Sequence, residues 1–172
     1  MNLIEEVLKE HNKSQRDKIV NYVNNDPKRF ADLVAVFLAG PYRVTQRAAW
    51  PLSYCIENSP ALIKPHFKKI IDFLGKQGEH DAVKRNVLRM LQFIPIPKSL
   101  QGKTVDLCLS FLTDGRQPVA IRVFAMTVLG NIAKENTDLK NEISLIIEDQ
   151  LPYGSAGFIS RGRKTLKQLK QS

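Results

Sequence analysis

Cysteine is scarce in this 172-residue chain, with only Cys55 and Cys108, far apart and without a CxxC partner. Neither a disulfide framework nor a thiol-redox motif is available, and the three histidines (His11, His66 and His80) are too scattered for a zinc ligand set. Two buried, reduced thiols in an intracellular, cytoplasmic setting are expected. No apolar run approaches the roughly 18 residues of a membrane span. The opening "MNLIEEVLKEH" carries Glu5, Glu6 and Glu10 where a secretory signal would carry positive charge, so export is not expected. GxGxxG, a phosphate-binding Gly-Lys-Ser/Thr loop, HExxH and GxSxG are all missing, and the acids are spread with no apparent catalytic pair. No catalytic residue, cofactor or metal is assigned.

What the chain has is apolar content of 43% against 25% charged residues, the balance of a folded protein rather than a disordered one. The net charge is +9, and it is unevenly placed: residues 1–60 carry +1, 61–115 carry +4 and 116–172 carry +4. Residues 155–172 hold Arg161, Arg163, Lys164, Lys167 and Lys170 and no acid.

Apolar residues recur at helical spacing throughout, and no segment alternates convincingly as a strand. Ser14 with Asp17 is a capping-box variant for a second helix, and Asp26-Pro27 supplies an N-cap and an N1 proline for a third. A fourth helix is expected near 43–58, with Pro51 kinking it or delaying its start, and a fifth over 60–75 with a bend at Pro65. Further helices are expected over 80–94, 99–113, 118–135 and 139–151, with a basic tenth at the C-terminal end.

These helices repeat. "VKRNVLRML" at 83–91 and "AIRVFAMTVL" at 120–129 place Lys84 and Arg122 at positions 38 apart, with Val87 and Ala125, Leu91 and Leu129, and Ile94 and Ile132 at equal offsets behind them. "ADLVAVFL" at 31–38 and "VDLCLSFL" at 105–112 match 74 residues apart, with Phe73-Leu74 halfway between. A basic residue returns in each second helix: Arg47 (or Gln46 in the other register), Lys84 or Arg85, Arg122 and, in a degenerate fourth unit, Arg161. Two helices per unit with a period near 38 imply pairs that bury their stripes only by stacking on neighbours.

The pattern resembles the HEAT-repeat family and its armadillo-like relatives, most clearly in "LTDGRQPVAIRVFAMTVLGNIA" and "LGKQGEHDAVKRNVLRMLQFI". The resemblance implies an all-α, right-handed α-α superhelix, a solenoid of about four helix pairs. It would form a single domain over 1–172: an N-terminal cap at 1–25, then repeats at about 27–58, 60–94, 99–135 and 139–171. It also implies Asp–Arg pairing between turn and second helix, for which Asp81 and Asp114 are placed, Asp114 two residues further from its arginine than the family pattern has it.

Two roles for the recurring cations stay open. They bond to acids or terminal carbonyls of the preceding pair, or they line the concave face that second helices form in such solenoids. On the second view Arg47, Lys84, Arg85, Arg89, Arg122 and Arg161 make a basic stripe for phosphates or an acidic protein surface. Trp50 and Tyr54, four apart, either pack between repeats or form an aromatic platform. Arg163, Lys164, Lys167 and Lys170 form a C-terminal basic face, a solvated cap, an anion-binding surface or, with only Phe158, Leu166 and Leu169 as anchor, a membrane-surface contact. The function implied is a non-catalytic interaction scaffold for a protein partner. The alternative is a nucleic-acid-binding protein akin to the HEAT-like DNA alkylation-repair glycosylases, whose candidate residues would be Trp50, Tyr54, Arg47 and Asp81.

Overall fold

Helix boundaries in the computed structural model, which describes residues 1–172 apart from Gln77, Glu79, Glu135 and Ser172, follow local capping chemistry. Ten α-helices and two short 3₁₀ turns account for the regular structure, with no strand among the described residues. They gather into two compact units, Met1–Ile94 and Pro95–Ser172.

In the first unit, α1 (Leu3–Lys9) and α2 (Lys13–Val23) precede the repeating pairs. The α2 cap differs from expectation. Asn12 accepts from the Gln15 amide at 2.8 Å, so the helix begins ahead of Ser14, and Asp17 is drawn instead to Arg16. An asparagine caps as well as a serine, and here it lies nearer the α1 end. The helix stops at Asn24 and Asn25, whose φ values of 40° and 62° are left-handed, a conformation asparagine tolerates.

Asp26 caps α3 (Pro27–Ala39) as its sequence indicates, accepting from the amides of Lys28 and Arg29 at 2.8 and 3.1 Å. The α3 stripe of Phe30, Leu33, Val34 and Phe37 is buried against α4 (Tyr42–Asn58), which contributes Val44, Ala48, Leu52 and Ile56. Gly40 permits the tight turn between them: a Cβ there would stand 2.6 Å from both the Val36 carbonyl oxygen and Val44 Cγ1. Pro51 does not delay α4, which runs unbroken from Tyr42 with Pro51 buried inside it.

Pro65 does divide its helix. Lacking an N–H, it cannot donate to the carbonyl four residues back, and Pro60–His66 winds as a 3₁₀ helix before α5 (Phe67–Leu74). The rings of Phe37 and Phe73 meet edge to face at 5.0 Å, tying α3 to α5. His80 caps α6 (Asp81–Leu91), which buries Val87 and Leu91 and lies against α4.

The second unit holds α7 (Lys98–Thr113), α8 (Val119–Ala133), α9 (Thr137–Gln150) and α10 (Ala156–Gln171). Ala125 and Leu129, the counterparts of Val87 and Leu91, are fully buried. At these two offsets the 38-residue repeat is a repeat of core positions, whereas Ile132, the counterpart of the buried Ile94, is only half-buried. α8 packs on both α7 and α10. At Gly130 the approach of α10 is close enough that a Cβ would meet Thr165 Cγ2 at 2.9 Å.

Candidate interaction surface

In the first unit the recurring cations sit on α4 and α6. Arg47 is half-buried and donates from Nη1 to the Leu8 carbonyl at 2.8 Å, satisfying an acceptor in the last turn of α1. Arg85 is exposed and makes no hydrogen bond or ion pair among the described residues. Between α1 and α2, His11 lies edge-on to Trp50 with ring centroids 5.3 Å apart. Its imidazole is held below its ordinary pKa by partial burial first, then by the positive charges of Arg47 and Arg85. Those two guanidinium groups therefore converge electrostatically on one histidine. Lys84 approaches Asp81 Oδ1 at 3.6 Å across one turn of α6.

Trp50 and Tyr54 are already engaged. Arg16 of α2, buried to 7% exposure, stands 5.0 Å from the Trp50 ring centre and 3.9 Å from that of Tyr54. Arg89 of α6 lies 4.3 Å from the same Tyr54 ring and 5.7 Å from Phe93. Asp17 Oδ1 holds Arg16 through Nε and Nη2, while Arg89 donates to Ser53 Oγ at 3.2 Å and to Glu57. Rings and guanidiniums thus alternate across α2, α4 and α6, each contact contributing about 0.5–2 kcal/mol according to its desolvation. The cavity behind Trp50 measures about 10 Å³, the space of one water, so no small molecule lodges there.

Arg16 escaped the sequence reading. It precedes the first repeat and carries no periodic signal, and its burial is imposed by rings 34 and 38 positions later.

In the second unit Arg122 is a staple. Its Nε donates to the Leu112 carbonyl at 3.1 Å, Nη2 donates to Gln150 Oε1, and Cζ lies 4.4 Å from the centre of the buried Phe158 ring. The family-type pairing with Asp114 does not form. Asp114 accepts from Arg116 Nε at 2.9 Å and from the Arg116 amide, which hold its carboxyl far below the usual range. The longer turn gives Asp114 a partner two residues away, and Arg122 turns to a helix-terminal carbonyl instead. Arg161 is half-buried and donates to Thr127 Oγ1 at 3.1 Å. Arg163, Lys164, Lys167 and Lys170 all project from the solvent face of α10 with no partner among the described residues.

Little nucleophilic chemistry is on offer. Burial pushes both the Cys55 and Cys108 thiols up to about 12, and no group of three or more His, Cys, Asp or Glu side chains suited to a metal occurs among the described residues. No helix among them is long and apolar enough to cross a membrane.

A family model described as a HEAT repeat domain matches residues 3–169. This chain belongs to the HEAT repeat domain family. Its helices also superpose on the crystal structure of an engineered protein with a TM-score of 0.66 at 17% identity, over 99% of this chain and 80% of that one. At that identity the likeness speaks for the fold alone. No curated protein matches significantly. Within this HEAT repeat chain the second helices α4, α6, α8 and α10 each carry a recurring cation, and three of these reach back to earlier elements, Arg47 to α1, Arg122 to α7 and Arg161 to α8, while on α6 it is Arg89, outside the recurring position, that reaches α4.

Proposed function

We propose that this HEAT repeat chain is a non-catalytic interaction module whose first unit docks an acidic segment of a protein partner on Arg47, Lys84 and Arg85. The observation that carries this reading is Arg85: an exposed guanidinium with no hydrogen bond or ion pair among the described residues, acting on the same histidine as Arg47. Arginine is favoured at protein interfaces, and a carboxylate placed there gains two or three charge-assisted hydrogen bonds without disturbing the core. The filled rings of Trp50 and Tyr54 back the surface rigidly rather than presenting an open stacking face.

The test is affinity capture from extracts of the source cells, comparing the unaltered chain with an Arg47→Glu/Arg85→Glu variant. Proteins that dock on this surface are retained by the first and weakened roughly tenfold or more on the second. Identical capture by both, or capture of nothing above background, would sink the proposal.

A further inference from the structure

The solvent face of α10 carries a different message from the first unit. Arg163, Lys167 and Lys170 follow one another at helical i, i+4, i+7 spacing, and Lys164 flanks them. Together they occupy about 120° of the helix circumference and about 10 Å of its axis. The opposite side, Phe158, Gly162, Thr165, Leu166 and Leu169, is buried. No acidic side chain lies between Gln150 and the end of the chain, so nothing on this helix offsets the four charges. None of the four makes a hydrogen bond or ion pair with another described residue. Like charges this close raise the local potential, and a fold keeps them cheaply only because water solvates each one.

We infer that this face of α10 binds the phosphate backbone of duplex nucleic acid without reading its sequence. Three observations select that occupant. The row is three lysines to one arginine, and lysine is depleted at protein interfaces, whereas phosphates accept it readily. No apolar side chain shares the cationic arc, since the apolar side of α10 is enclosed by its own unit; a membrane-surface helix needs that side free to enter the lipid boundary. The exposed Leu145 does not supply one, because it stands on α9 among the exposed Glu142, Glu148 and Asp149, which an anionic bilayer repels. A duplex, by contrast, presents a charge about every 1.7 Å of axis, matching a short straight row of cations.

The experiment is fluorescence-anisotropy titration of the full chain with 20-base-pair duplex DNA and duplex RNA of scrambled sequence, between 50 and 200 mM salt. Four phosphate contacts predict a log–log salt slope of about −3.6 and roughly a 150-fold loss of affinity across that range, independent of sequence. A Lys164→Gln/Lys167→Gln/Lys170→Gln variant brings the slope to about −0.9, while Arg47→Glu/Arg85→Glu leaves it near the original, separating this surface from the docking site of the first unit. Should the triple variant fail to fold, photo-crosslinking of the unaltered chain to the duplex reads the same point: crosslinks within 160–171 support the inference. An unchanged slope in the folded triple variant, crosslinks confined to other helices, or tighter binding to phosphatidylglycerol vesicles than to either duplex overturns it.

Discussion

Replacing Arg122 by methionine keeps most of the side-chain stem and removes the guanidinium. Three contacts go with it: the donor to the Leu112 carbonyl at 3.1 Å, the donor to Gln150, and the cation 4.4 Å from the Phe158 ring centre. A hydrogen bond from a charged group contributes about 1.5–3 kcal/mol and a partly desolvated cation–π contact about 1–2 kcal/mol. One group makes all three contacts and is half-buried, so the values belong at the low end and do not add fully; the expected cost is about 3 kcal/mol. For a chain of this size that corresponds to a fall of about 6–12 °C in melting temperature. Arg122→Lys keeps a cation near Phe158 but loses the forked donor geometry, and about half of that cost is expected. Urea unfolding followed by circular dichroism measures both, and a double-mutant cycle with Gln150→Ala isolates their coupling at about 1 kcal/mol. If Arg122→Met unfolds within about 0.5 kcal/mol of the parent chain, the guanidinium is not a staple, and the recurring cation of the second helices needs another explanation.

Two further outcomes are expected. Hydrogen bonds from Lys9, Lys18 and Gln15 lower Glu6 from 4.5 to about 2, so its contribution is complete above the ordinary carboxylate range and fades as pH falls through about 2; Glu6→Gln flattens the urea midpoint against pH over that interval. The Cys55 and Cys108 thiols, raised to about 12 by burial, stay unlabelled by a disulfide reagent at pH 8 in the native chain and react fully in denaturant, and stability declines only as pH climbs past the thiols' unfolded value near 9 toward 12; prompt native labelling of Cys108 refutes the packing around α7.

How much of this was readable beforehand depended on the range of the physics involved. Val87 with Ala125, and Leu91 with Leu129, announced the repeat because a buried face must recur with every helix pair that shares it. Asp26-Pro27 opened a helix as written, since capping is settled within three residues. Ser14 did not, because Asn12 offered an equivalent oxygen two residues closer to α1. Pro65 divided its helix and Pro51 did not, and no local rule separates the two. The recurring position of Arg122 was visible. Its partners were not, for one is a backbone carbonyl that any residue supplies and the other lies 28 positions further on. The exposure of the α10 cations followed from the sequence alone, since Phe158, Leu166 and Leu169 recur on the other side of the same helix.

Arg16 gives the two opening helices a role that their place outside the repeat conceals. A chain cut back to start at Pro27 would keep every helix pair yet strip both His11 and Arg16 from Trp50 and leave Tyr54 covered by Arg89 alone. The N-terminal segment therefore acts as a shutter over the aromatic flank of the first pair, and shortened versions of this protein would be stickier than the parent rather than simply smaller.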